Sequence, residues 1–214
     1  MKTCGTKKAI FVDRDGTLNR MVYDDKHGLL DSPRRPAQVE LVPGAGEFLK
    51  QVKAMGYMVF VVTNQPGIAK GTITVRELGA VNRRLSVLLG KEGGKWDALY
   101  YCPHHPGDGN GKETLRRFMR VCDCRKPKPG LLFQAAEEHG IDLAASWMIG
   151  DGLNDVQAGK AAGCRTILLT SLKLEQIQRF VGSKETTPDV IATDYDAALA
   201  RLRRKQRPVN PSRS

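Results

Sequence analysis

The chain has 214 residues, 41% hydrophobic and 27% charged, enough for one well-buried domain and too few for two full ones. It has no run of 18 or more apolar residues to span a bilayer, and its first residues, MKTCGTKK, do not read as a secretory leader, so a cytoplasmic protein is expected. The formal charge of +11 invites a nucleic-acid partner, but much of the excess lies in RLRRKQRPVNPSRS, which reads as a flexible basic tail (201–214) after a single domain over residues 1–200.

In chain order, Ala9–Val12 (AIFV) predicts a first strand, short, continuous and apolar as buried parallel strands are. Asp13-Arg14-Asp15-Gly16-Thr17 follows it directly, and Asn19–Val39 then breaks the pattern as a long loop. Pro43 and Gly44 open a helix over Ala45–Met55 that Gly56 closes. A second strand, Met58–Val62, ends on Thr63 and Asn64, and a helix is predicted over Val75–Leu89. Asp97–Tyr101 reads as a strand and leads into a second long loop, Cys102–Lys128. Pro129 opens a helix over Gly130–His139, closed by Gly140. The strand Trp147–Ile149 then delivers Asp151, and a helix over Leu153–Ala162 precedes a strand at Thr166–Leu169 and a weaker edge strand at Asp189–Ala192. This alternation predicts an α/β fold: a three-layer, Rossmann-like, open and mostly parallel sheet with helices on both faces. No segment is large enough for a full cap domain, so the two long loops are expected to shape the pocket as a minimal cap.

Chemistry in such sheets sits at the carboxyl ends of the strands. Asp13, Asp15, Thr63, Asn64 and Asp151 all fall at such ends. Close carboxylates repel, and a hard cation such as magnesium resolves the repulsion, often together with a substrate phosphate. Asp13 is then placed to attack phosphorus, and Asp15 to protonate the leaving oxygen and later activate water. Asp151 and Asp155, taken alone, would serve only to start and cap a helix. Lys126 and Lys128 are both candidates for the cation that a phosphoryl transition state requires.

The second long loop holds Cys102-Pro103-His104-His105 and Cys122-Asp123-Cys124. A Cys-x-His and a Cys-x-Cys pair match a closed, four-coordinate structural zinc site of Cys102, His104, Cys122 and Cys124. Such a site staples its loop, here the one that carries Arg125 and Lys126.

FVDRDGTLN, VVTNQPGIAKG, CRKPKPG and IGDGLNDVQAGKAAG, in that order over about residues 9 to 170, resemble the signature motifs of the haloacid dehalogenase superfamily of phosphatases. The resemblance implies that Asp13 is nucleophile and magnesium ligand and Asp15 the general acid–base. The Asp15 carbonyl and Asp151 would be further magnesium ligands, Thr63 and Asn64 would bind the phosphoryl group, and Lys126 would neutralise charge. CPHHP with CDCRKP further resembles the zinc-loop branch of heptose-bisphosphate and histidinol-phosphate phosphatases, which implies substrate recognition by Arg125. The heptose enzymes of that branch serve lipopolysaccharide or related glycans, and CPHHP and GIAKG look more like them. The chain departs from that branch in the stretch RMVYDDKHGLLDS, in Gly152 where a lysine is often found, and in the insertion Gly107–Arg120. The expected partner is a small phosphorylated sugar, handled by a monomer without nucleic acid or membrane. A nucleic-acid-binding zinc protein is the alternative from another class.

Overall fold

The computed structural model describes residues 7–25, 28–107, 113–172, 176–177 and 182–204. Its centre is a six-stranded, wholly parallel sheet. In chain order the strands are β1 (Ala9–Val12), β4 (Met58–Asn64), β5 (Ala98–Cys102), β6 (Trp147–Gly150), β7 (Arg165–Leu169) and β8 (Val190–Ala192). Two short strands, β2 (Val22–Asp24) and β3 (Leu29–Asp31), pair with each other as a separate antiparallel hairpin. The helices are α1 (Ala45–Ala54), α2 (Gly67–Lys70), α3 (Val75–Lys91), α4 (Glu113–Arg116), α5 (Gly130–His139), α6 (Leu153–Ala161) and α7 (Tyr195–Arg204).

The sheet order is β5-β4-β1-β6-β7-β8. The chain moves outward from β1 through β4 to β5, then returns to lay β6 on the other side of β1. That reversal opens a crevice at the carboxyl end of β1, where open α/β sheets bind ligands. In-register pairing of Val12 with Val61 and with Ile149 brings Asp13, Thr63 and Asp151 out at the same edge.

The strands read as unbroken apolar runs because both faces are covered. Ile10, Val12, Val59, Val61 and Ile149 point into a core closed by Phe48, Leu49, Leu78, Leu85 and Leu199. Ala9, Phe11, Phe60, Val62 and Met148 point the other way, against Leu131, Leu132 and Ala135 of α5. The three-layer fold expected from the sequence is the fold observed, and the four long predicted helices agree with α1, α3, α5 and α6 to within two residues.

The differences are informative. Strand β4 includes Thr63 and Asn64, and β5 includes Cys102, so these polar and thiol side chains are held by the sheet rather than by the loops after it. The Asn19–Val39 segment contains the β2–β3 hairpin, and GIAKG forms the short helix α2, ended by Gly71 in a left-handed conformation. The domain boundary drawn at residue 200 falls inside α7, which continues to Arg204. Tyr195, Ala198, Leu199 and Leu202 are buried at helical spacing, and Arg201, Arg203 and Arg204 face solvent. The remainder of the expected basic tail, 205–214, lies outside the described residues.

Candidate active site and the adjacent cysteine–histidine cluster

A cavity of about 270 Å³ opens at the carboxyl ends of β1, β4 and β6. Asp13, Asp15, Thr63, Asn64, Arg125, Lys126 and Asp151 all line it, so every residue expected at the catalytic centre meets in one space. Gly152, Asn154 and Asp155 from the start of α6 complete one wall, and Met21 and Ser32 from the hairpin segment another.

The turn after β1 depends on Gly16. Its φ is +85°, and a Cβ there would come within 2.1 Å of an Asp151 carboxylate oxygen, so no other residue fits without displacing Asp151. That close approach also lets Thr17 donate to Asp151 Oδ1 at 3.3 Å.

Lys126 is fully enclosed. Its Nζ donates to Asp13 Oδ1 at 2.7 Å, Asp155 Oδ1 at 2.6 Å and the Val62 carbonyl at 2.8 Å. Burial pulls the ammonium pKa down, but Asp13 and Asp155 outweigh it and hold the pKa above the ordinary lysine value. Lys128, the other lysine considered, points to solvent and pairs with Asp123 at 2.8 Å. Burial pushes the Asp13 carboxyl up to about 7 against the pull of Lys126, with Asp155 and Asp15 adding to the rise. Burial and the Asp13 charge raise Asp151 as well.

Asp155 therefore has a larger part than helix capping. Its Oδ2 does accept from the Gly152 N–H at 3.1 Å, but its Oδ1 anchors Lys126. The helix-start pattern GDGLND concealed the second contact, which joins residues 29 apart in sequence. Asn64 has a further contact that the sequence did not show. Its amide donates to the Lys126 carbonyl and accepts from the Lys126 N–H, both at 3.0 Å, so the side chain holds the lysine's backbone while lining the cavity.

Asp15 sits among donors. Arg14, fully buried, grips it with Nε and Nη2 at 3.0 and 2.8 Å, and Asn19 and Gln65 donate at 3.0 and 2.7 Å. Ser32 donates from the hairpin segment at 2.9 Å. Neither Arg14, Ser32 nor Gln65 was singled out from the sequence, because their role depends on contacts across the fold.

Asp13, Asp151 and Asp155 present carboxylate oxygens within 4.8 Å of one another. Both Asp155 oxygens are engaged, by Lys126 and the Gly152 N–H, whereas Asp13 meets Lys126 through Oδ1 alone, so Asp13 and Asp151 are the pair left to face a cation. Two partly desolvated carboxylates of raised pKa, packed around a glycine that admits no side chain, fit a divalent ion with oxygen ligands.

At the far end of β5 lies a second cluster. His104 Nδ1 is 3.6 Å from the Cys102 sulfur and 3.2 Å from that of Cys124, and Cys122 lies 3.5 and 3.3 Å from those two sulfurs. The four ligand atoms converge as a tetrahedral metal site requires, and the four residues can hold a metal. His105 lies outside this group. Arg125, next along the chain, donates to the His104 carbonyl at 3.3 Å and reaches the catalytic cavity.

The HAD-hydrolase-like family model matches residues 123–198. The D-glycero-beta-D-manno-heptose-1,7-bisphosphate 7-phosphatase of Pasteurella multocida is 42% identical over 163 residues, covering 76% of this chain and 81% of the relative. Among solved structures, the D,D-heptose 1,7-bisphosphate phosphatase from B. bronchiseptica, complexed with magnesium and phosphate, superimposes with a TM-score of 0.73 at 29% identity, covering 92% of this chain and 99% of that one. A putative HAD-like phosphatase from Mesorhizobium loti gives a TM-score of 0.75 at 31% identity, covering 96% of this chain and 90% of that one.

Proposed function

The chain belongs to the haloacid dehalogenase-like hydrolases, in the family of the heptose-bisphosphate phosphatases, and on that premise we propose that it removes the 7-phosphate of D-glycero-beta-D-manno-heptose 1,7-bisphosphate through a phosphorylated Asp13. The observation that carries the reading is the meeting of Asp13, Asp15, Thr63, Lys126 and Asp151 in one cavity, drawn from three strand ends and a distant loop.

In the first half-reaction an Asp13 carboxylate oxygen attacks phosphorus, and the bond from phosphorus to the sugar oxygen breaks. Asp15 gives its proton to that oxygen, so the sugar departs as a neutral alcohol. In the second, Asp15 takes a proton from water as the water attacks phosphorus, releasing inorganic phosphate and restoring the Asp13 carboxylate. Lys126 is positioned to balance charge on the phosphoryl oxygens, and the Thr63 hydroxyl to hydrogen-bond them. Asp13, Asp151 and the Asp15 carbonyl would hold magnesium, which supplies further charge neutralisation at the phosphoryl group.

Zinc is our assignment for the Cys102–His104–Cys122–Cys124 cluster, since three thiolates and an imidazole favour a borderline-soft ion. The site is closed, and its role is to fix Arg125 and Lys126. Arg125 is assigned to substrate recognition. The free thiols of Cys102, Cys122, Cys124 and Cys164 suit a reducing compartment, and we assign the enzyme to the cytoplasm, acting as a monomer. Among the described residues, no helix is long and apolar enough to cross a membrane.

The test is phosphate release with magnesium from the heptose bisphosphate and from histidinol phosphate. A kcat/KM at least about tenfold higher on the heptose substrate, some 1.4 kcal/mol in transition-state binding, is expected. Preference for histidinol phosphate would move the chain to the neighbouring branch.

A further inference from the structure

Five donors surround Asp15. Four come from the turn after β1 and the end of β4: two from Arg14 and one each from Asn19 and Gln65. The fifth, Ser32, belongs to the segment that carries the β2–β3 hairpin, and its hydroxyl meets Oδ2 at 2.9 Å. A carboxylate that is to hand a proton to a leaving oxygen must turn an oxygen toward it, and Oδ2, with three donors, is the more heavily held of the two.

Ser32 lines the catalytic cavity and also a cavity of about 500 Å³ that runs along the hairpin, lined by Tyr23, Asp24, Asp31, Arg34 and Glu77 among others. The hairpin pairs with no strand of the main sheet among the described residues, and Tyr23 and Leu30, paired across it, are exposed. Its brace is Arg34, whose Nη2 reaches Asp24 at 3.2 Å and Asp31 at 2.5 Å, while Gln38 accepts from the Arg34 and Arg35 N–H groups at 3.0 Å. Ser32 follows Asp31 directly, so a shift of the hairpin is transmitted to the hydroxyl that holds Asp15.

We propose that Ser32 is a positioning residue for proton transfer, through which the β2–β3 hairpin and whatever part of the sugar occupies its cavity set the direction of the Asp15 carboxylate. This inference rests on the phosphatase reading above and extends it to residues that touch neither phosphorus nor the metal site.

Leaving groups separate the possibilities. An alkyl phosphate needs a proton on the departing oxygen, whereas p-nitrophenyl phosphate leaves as a stabilised phenolate and needs little help. In Ser32→Ala, kcat on the heptose bisphosphate should fall about tenfold more than kcat on p-nitrophenyl phosphate, a fraction of what a general acid contributes. KM should stay within about twofold. Ser32→Thr, which keeps the hydroxyl, should restore the alkyl ester. Arg34→Met, which removes the hairpin's brace and leaves Ser32 in place, should show the same selectivity in weaker form. Equal losses on both esters, an effect confined to KM, or no loss at all would overturn the role of Ser32. An unselective Arg34→Met would overturn the link to the hairpin. A wild-type protein that releases phosphate from neither ester would instead sink the phosphatase reading itself.

Discussion

Asp13 shares its cavity with two cations, Lys126 and Arg125, and three further carboxylates, Asp15, Asp151 and Asp155, and this arrangement favours chemistry over stability. Its pKa is raised to about 7 from an unfolded value near 3.8, so the folded chain holds a proton that the unfolded chain releases. Folding stability is therefore lost as pH rises from about 4 through about 7, and above that range the ionised Asp13 is a standing cost in the metal-free protein. Asp13→Asn keeps the shape and removes the charge. It should abolish turnover yet raise metal-free stability at pH 8 by on the order of 2 kcal/mol, with the gain vanishing near pH 4. Thermal denaturation of both proteins in chelator at the two pH values measures this, and a destabilised variant at pH 8 would refute it. Most of the acidic residues here were legible because each directly follows a strand. Asp155 and Asn64 were legible only in part, since a helix cap and an amide at a strand end look ordinary until Lys126 is placed beside them, and Arg14 was not legible until Asp15 is placed beside it.

Among the elements, the described residues of the segment from Cys102 to Lys126 have little regular structure. The helix α4 spans only Glu113–Arg116, and the cysteine–histidine cluster ties the segment's two ends together. The short spacing within each ligand pair made the cluster readable from sequence. The partnership of Asn64 with the Lys126 backbone was not, since it spans 62 residues. If the metal fixes where Lys126 emerges, Cys122→Ser should lower kcat at least about tenfold. Circular dichroism should meanwhile show the sheet intact, and bound zinc, one per chain in the parent, should be lost. Unchanged kcat in a zinc-free variant would show that packing alone places the lysine. The C-terminal helix α7 was hidden for another reason. Leu199 and Leu202 keep helical spacing with Tyr195, but four arginines between residues 201 and 207 dominate the local composition and suggest a solvated tail. Tyr195 stacks on Phe48 with ring centroids 4.7 Å apart, and its hydroxyl donates to the Thr17 carbonyl at 2.5 Å, so this helix also supports the catalytic turn.

At the scale of the whole molecule, the layer architecture was the most legible property, because strands buried on both faces and helices buried on one leave distinct apolar periods. The hairpin was not, since three-residue strands carry too short a pattern to register. The net charge of +11 acts on encounter with a multiply charged phosphate rather than on fold. With magnesium saturating, kcat/KM should fall about fivefold between 20 and 500 mM salt while kcat stays level. A flat kcat/KM would mean that the field at the cavity mouth is already balanced by the local carboxylates. The sheet order bears also on how the chain is made. Strand β1 leaves the ribosome first but lies in the middle, flanked by β4 and β6. One edge of AIFV thus has no partner until Met58 onward has been synthesised, and the other waits for Trp147. For most of translation the strand that carries Asp13 is an open apolar edge, the kind of surface that nascent-chain chaperones cover.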